Sequence, residues 1–237
     1  MRVKQLIKSA IRNVGFDITR IRPTRQDFME SRSIDTVIDV GANEGQFVHE
    51  IRENGYSGNI VSFEPIKEIY STLANNVAKD RRWKGFNLGL SNRSGHAVIG
   101  VSEHTGFSSM HEFTNAASIF EERSRVVRSE TIKLRTLEEL SDEIEGARLF
   151  LKIDTQGHEQ ACLEGVGKLA RRIEGVQLEL PLSALYDNVW TFGEAVSFMK
   201  QLGYVPCYFS PVGYQKNDPL AMVEVDCIFR RYNAEFD

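Results

Sequence analysis

Along the chain, short apolar runs of strand length alternate with segments in which apolar residues recur three and four apart, and polar turns separate the two. The alternation begins at Ile34 and predicts βαβ units around a parallel sheet. Strands are expected at 36–40, 59–63, 85–90, 148–153, 176–180, 205–209 and 223–229. Helices are expected from about Gly45, over 66–78, over 137–144 and over 159–171. Between 91 and 133 the pattern loosens. A turn at 92–95, a strand-like 96–101 and a loop-like 106–109 predict an inserted hairpin and a flexible loop. The prolines and glycines of 206–219 predict a hairpin between the last two strands. The expected fold is α/β: a Rossmann-like, seven-stranded, mostly parallel sheet with helices on both faces, filling 34–237.

Residues 1–33 read differently. Val3, Leu6, Ile7, Ala10, Ile11 and Val14 fall at helical spacing among Arg2, Lys4, Lys8 and Arg12, which predicts a basic amphipathic helix. Residues 1–32 carry eight basic against three acidic side chains, a charge of +5 that leaves −9 for the rest. Such a helix could lie on an anionic membrane surface, or dock its apolar stripe on the domain or on a second subunit of a homo-oligomer.

At 237 residues and 41% hydrophobic content the chain can bury one sizeable core. Its 29 basic and 33 acidic side chains give a net charge of −4, so no global positive field draws it to nucleic acid. Cys162, Cys207 and Cys227 have neither metal-type spacing nor the even count of a disulfide framework, as expected in a reducing compartment. No run approaches the roughly 18 apolar residues that cross a bilayer, and the first residues lack the apolar core of a signal peptide. A soluble cytoplasmic protein is the expectation.

Three segments carry candidate chemistry. In Asp39-Val40-Gly41-Ala42-Asn43-Glu44-Gly45 a strand meets a helix through two glycines, which allow a tight turn and close approach of a ligand to free N–H groups. A carboxylate or a phosphate could sit there. The dinucleotide fingerprint G-x-G-x-x-G is absent, since Asn43 and Gln46 take its second and third glycine positions, which weakens a nicotinamide oxidoreductase reading. Asp39 is awkward for pyrophosphate and suits a ligand with an ammonium beside its carboxylate, as methionine has. Some 20 residues on, Ser62-Phe63-Glu64-Pro65 puts a carboxylate at the carboxyl edge of the next strand, where ribose hydroxyls are recognised. The alternative role for Glu64 is to start a helix whose first turn contains Pro65. In Lys152-Ile153-Asp154-Thr155-Gln156-Gly157-His158-Glu159 a buried strand opens into a polar turn, and in a doubly wound sheet Asp154 faces the glycine turn.

Together these segments resemble the FkbM-type methyltransferase family, which couples a D-x-G-A-N-x-G turn, an F-E-P strand end and a K-I-D-x-x-G-x-E segment. The resemblance runs from about Ile34 to Arg230 and includes Gly106-Phe107-Ser108-Ser109, Thr136-Leu137 and Leu163-Glu164-Gly165. It implies a class I methyltransferase fold and methyl transfer from S-adenosyl-L-methionine to oxygen, often a hydroxyl of a sugar or of a polyketide. The cofactor residues it implies are Asp39, Gly41, Ala42, Asn43, Gly45, Glu64, Pro65, Leu90, Ser91 and Asp154. The sequence departs from the family at Gln156, where an acid is frequent, and Gln156 is left out of the site.

Alcohols hold their proton nearly as tightly as water, at a pKa of about 16, so a base must accompany oxygen methylation. Asp154, His158 and Glu179 are the candidates. His158 titrates near neutrality but could instead cap a helix, and Glu179 is a carboxylate inside an apolar strand that needs a partner or a function. Asp154 and Glu179 offer two oxygen ligands to a divalent cation, too few to define a site, and His49, His96, His104 and His111 are scattered. Ser108, Ser109, His111, Phe113, Tyr186, Asn188 and Trp190 could recognise a glycan, glycolipid or nucleotide-sugar acceptor. Tyr186 and Trp190, four apart, could equally pack on the sheet. A scaffold or membrane adaptor without turnover is the rival of another class, against which Asp39, Glu64 and Asp154 together argue.

Overall fold

The computed structural model describes residues 13–14, 23–103, 108–110, 125–182, 189–215 and 217–233. Most of the expected N-terminal helix, together with His104, Gly106, Phe107, His111, Phe113, Tyr186 and Asn188, lies outside them.

The strands are β1 Thr36–Val40, β2 Asn59–Phe63, β3 Trp83–Phe86, β4 Gly89–Leu90, β5 Gly95–Ser102, β6 Val126–Arg135, β7 Leu149–Ile153, β8 Ile173–Pro181, β9 Tyr204–Gln215 and β10 Asp218–Arg231. Seven of them form the central sheet in the order β3-β2-β1-β7-β8-β10-β9, and only β10 runs antiparallel to its neighbours. The expected architecture is therefore observed, with the chain reversing its direction of winding between β1 and β7. Both strands are buried at every position because both faces of the sheet are covered.

On one face Ile38, Val40, Leu149, Leu151 and Ile153 pack with Cys162 and Leu163 of α4 (Glu159–Glu164) and with Ala195 and Met199 of α5 (Phe192–Gln201). On the other, Val37, Ile60 and Phe150 pack with Met29 of α1 (Arg25–Ser31), Val48 and Ile51 of α2 (Gln46–Glu53) and Leu73 of α3 (Lys67–Asn76). Helix α1 begins with a capping box between Thr24 and Asp27, and its Phe28 ring lies 5.8 Å from that of Phe150.

Four expectations change. The strand expected over 85–90 is two pieces, β3 in the central sheet and β4 in a three-stranded sheet ordered β4-β6-β5. Asn87 divides them: its amide donates to the carbonyls of Glu64 and Pro65, anchoring the chain where it leaves the ladder. The helix expected over 137–144 is a turn followed by the short 3-10 helix Ser141–Glu143, which still buries Leu137, Leu140 and Ile144. The helix expected over 159–171 stops at Glu164 and resumes as the 3-10 helix Gly167–Arg171. Gly167, at φ +53°, leaves room for the Glu138 carboxylate that accepts from the Lys168 N–H. Finally, the hairpin expected over 206–219 is present, but its first strand, β9, extends past the expected 205–209 through Pro211 to Gln215, because an edge strand does not need every N–H. The expected hairpin in the insertion is present as β5 and β6, which pack Ile99, Val101, Ile132 and Leu134 onto Ile66 and Ile69.

Candidate active site

The carboxyl ends of β1, β2 and β7 open onto a crevice roofed by Ile99, Met110 and Ile132 of the insertion. Seven of the expected cofactor and catalytic residues line it, Gly41, Asn43, Glu64, Pro65, Leu90, Asp154 and His158, as does Ser108, expected at the acceptor. Gly41, at φ +75°, could carry no side chain, since a Cβ there would lie 1.8 Å from the Asp154 carbonyl oxygen. The turn is pinned from both sides: the Gly41 and Ala42 N–H groups donate to Phe63 O, and Asp154 N donates to Val40 O. Ala42 is buried behind the turn, and Gly45, at φ +97°, caps α2 against Leu73.

Glu64 is 4% exposed, and both its oxygens are engaged: Oε2 accepts from Asn43 N at 3.1 Å and Oε1 from Ile66 N at 2.8 Å. The helix-starting role and the crevice-lining position thus coexist in one side chain. Burial pushes its carboxyl up to about 7, against the two N–H groups that favour the charged form.

Asp39, expected to face a ligand, instead lies fully buried beneath the turn. Ser62 Oγ donates to its Oδ2 at 3.3 Å, and Lys152 Nζ stands 3.3 Å from its Oδ1. Lys152 Nζ also reaches Gly41 O at 3.3 Å and Asp154 Oδ2 at 3.4 Å, while Gln156 Nε2 donates to Asp154 Oδ1 at 2.9 Å. Burial opposes the ammonium, yet Asp154 and Asp39 hold it charged and above the ordinary lysine value. Lys152 was passed over as a site residue, although a lysine inside an apolar strand signals a buried partner.

His158 precedes α4 without a side-chain cap; its Nε2 lies 3.0 Å from Ser91 Oγ, and so it faces the crevice. Leu90 is held by Cys162, whose thiol donates to its carbonyl at 3.2 Å. Gln156, left out of the expected site, lines the crevice beside Asp154 and takes a left-handed conformation at φ +54°. Its carbonyl accepts from Ser109 Oγ at 2.6 Å, tying the roof to the floor. Glu179 is not in the crevice. It lines a neighbouring cavity with Glu224 and Trp190, and Asp154 and Gln156 belong to the walls of both. Burial first, then Asp154 and Glu224, raises Glu179 well above the ordinary glutamate range. Among the described residues no group of three or more His, Cys, Asp or Glu could hold a metal ion, and no helix is long and apolar enough to cross a membrane.

The strand order, the glycine turn and the acid at the end of β2 define a class I methyltransferase whose methyl donor is S-adenosyl-L-methionine. More particularly, the chain belongs to the FkbM methyltransferase family, whose domain matches residues 39–206. The fold is shared with the fibrillarin pre-rRNA processing protein of Methanococcus jannaschii at 8% identity and a TM-score of 0.50, over 90% of this chain and 71% of that one. An rRNA methylase from Streptococcus thermophilus aligns at 9% identity and a TM-score of 0.49, over 91% and 100% of the two chains. The precorrin-6y C5,15-methyltransferase of Geobacter metallireducens aligns at 14% and 0.44, over 93% and 95%. No curated protein matches the sequence.

The crevice fits the donor. Glu64, with one N–H on each oxygen, would keep a lone pair on each for the ribose hydroxyls of a donor bound in the crevice. The apolar side chains of Leu90 and Ile132 flank space for a base.

Proposed function

We propose that the chain is an O-methyltransferase acting on a hydroxyl of a carbohydrate, carried by a glycan, glycolipid or nucleotide-sugar. The observation behind this reading is the wall common to the two cavities. Asp154 stands where a donor in the crevice and an acceptor in the neighbouring cavity would meet, and carboxylates lie on the acceptor side. Sulfonium methyl transfer is an in-line displacement, so the enzyme aligns acceptor oxygen, methyl and sulfur and excludes water. Asp154, fixed by Lys152 and Gln156, is suited to orient the acceptor hydroxyl. On this reading His158 belongs with the donor and Glu179 with the acceptor.

The test offers labelled S-adenosyl-L-methionine with simple glycosides, nucleotide-sugars and glycolipid fragments, and in parallel with polyketide alcohols, RNA and protein. Transfer to a carbohydrate hydroxyl is expected. Asp154→Asn should slow it on the order of a hundredfold while leaving S-adenosylhomocysteine affinity nearly unchanged by calorimetry. Transfer confined to protein nitrogen or nucleic acid would overturn the reading.

A further inference from the structure

The neighbouring cavity contains neither Glu64 nor His158 in its wall. Glu179 of β8 and Glu224 of β10 lie diagonally across an antiparallel ladder, in which Glu179 pairs with Asp226 and Glu224 with Pro181. Both carboxyls line the cavity, and burial raises each above the ordinary glutamate value, which favours a proton retained on the pair. A second, independent feature is Trp190. Its side chain lines the same cavity, the residue is only 9% exposed, and its buried indole Nε1 has no hydrogen-bond partner among the described residues. A buried N–H left in that state costs free energy until a ligand accepts from it.

We infer that this cavity is the acceptor subsite, that it takes an uncharged hydroxyl-bearing group, and that the Glu179–Glu224 pair receives the proton which that group loses. The inference rests on the oxygen-methylation reading above. A hydroxyl both donates and accepts, and a carboxyl pair holding one proton offers both partners, with the Trp190 N–H as a further donor. An anionic group is disfavoured. The pair faces Lys152 from β7, Asp154 just beyond its end, Asp226 from β10 and Glu159 from α4, so one ammonium stands among several carboxylates. A phosphate on the acceptor would have to lie outside this cavity.

As the bond from acceptor oxygen to methyl forms, the bond from sulfur to methyl breaks and the sulfur keeps its electron pair. The hydroxyl proton passes to the unprotonated oxygen of the carboxyl pair. The positive charge of the sulfonium and the negative charge of the pair disappear in the same step, which suits a site withdrawn from water. Burial brings Glu224 to about 7 and raises Glu179 well above the ordinary glutamate range, so the pair retains a proton closer to neutrality than free carboxyls do. Glu224 lies beyond residues 39–206, outside the part of the chain that the family domain matches.

Initial rates with labelled donor on methyl glycosides, and on the same sugars as uronates and sugar phosphates, test the inference in wild type, Glu224→Gln and Trp190→Phe, with S-adenosylhomocysteine affinity measured for each. Methyl glycosides should be preferred by about tenfold or more. Glu224→Gln should lower kcat about tenfold or more and flatten the rise of wild-type rate with pH through neutrality, with cofactor affinity unchanged. Trp190→Phe, which keeps an aromatic ring against Phe198, should raise acceptor KM about fivefold with kcat retained. If glycosides are methylated but Glu224→Gln keeps wild-type kcat and pH profile, or Trp190→Phe keeps wild-type KM, or uronates serve as well, the subsite inference falls and the proposed function stands. If wild type binds S-adenosylhomocysteine yet methylates no carbohydrate, both fall. Should Glu224→Gln fail to fold, Trp190→Phe and the uronate comparison decide alone.

Discussion

The Glu64 carboxylate supports the backbone and faces the ligand at once, and its ionisation connects the two. It accepts from the N–H groups of Asn43 and Ile66, so its removal would disturb the turn as well as the ribose contact inferred for it. Because burial lifts its carboxyl to about 7, the free protein at slightly acid pH holds Glu64 protonated, with fewer acceptor sites for two hydroxyls. Affinity for S-adenosylhomocysteine should therefore rise as pH increases through about 7 and level off above it. Glu64→Gln should bind weakly at all pH values without that dependence, and Glu64→Ala should lose about 1.5–3 kcal/mol. Calorimetry across pH 6–8 checks this; a flat wild-type profile would exclude Glu64 as the residue that sets it.

At the scale of elements, the site is held by β7, which sends alternate side chains to opposite faces and delivers Lys152 between Asp39 and Asp154. A hydrogen-bonded line runs from Trp83 Nε1 to Ser62 Oγ to the Asp39 carboxylate, and Lys152 continues it electrostatically to Asp154. Lys152→Met would leave Asp39 charged without a counter-ion, or force it to take up a proton, and should cost about 3–5 kcal/mol in denaturant unfolding. The double variant Asp39→Asn with Lys152→Met should recover a good part of that loss; additive losses would show that the pair does not act as a unit. This line also marks the limit of what the sequence discloses. The glycine turn, Glu64 and Asp154 are legible because their role is local, a strand end entering a turn. The pairing of Lys152 with Asp39 depends on β7 lying beside β1, and the approach of Glu224 to Glu179 depends on the antiparallel return of β10, so neither has a local signature. The helix read over 137–144 fails for a related reason. Leu137, Leu140 and Ile144 have helical spacing, but a turn and one 3-10 segment bury them equally well.

For the molecule as a whole, the carboxyl ends of β1, β2, β7 and β8 and the middle of β10 gather buried acids in excess of buried cations. Glu64 and Glu224 are brought to about 7, Glu179 is raised well above its ordinary value, and Asp39, Glu159 and Asp226 are raised as well, in each case first by burial. The folded chain therefore retains protons that the unfolded chain releases above about pH 4.5. With more protons bound folded than unfolded, stability must fall as pH rises through the window from about 4.5 to 7. Glu64 alone, moved from 4.5 to about 7, accounts for on the order of 3 kcal/mol. Acids with depressed values, such as Asp80 beside Arg52, act in the opposite sense, but only at lower pH, as they take up protons. The cofactor-free protein should thus melt at a higher temperature at pH 6 than at pH 8. Saturating S-adenosylhomocysteine should narrow that gap, because it binds the form with Glu64 ionised and so stabilises more at pH 8. Calorimetric melting of both states at pH 6, 7 and 8 checks the two statements together. A cofactor-free melting temperature that climbs from pH 6 to 8 would mean that the acid cluster is paired in solution by cations other than Lys152 and Arg25.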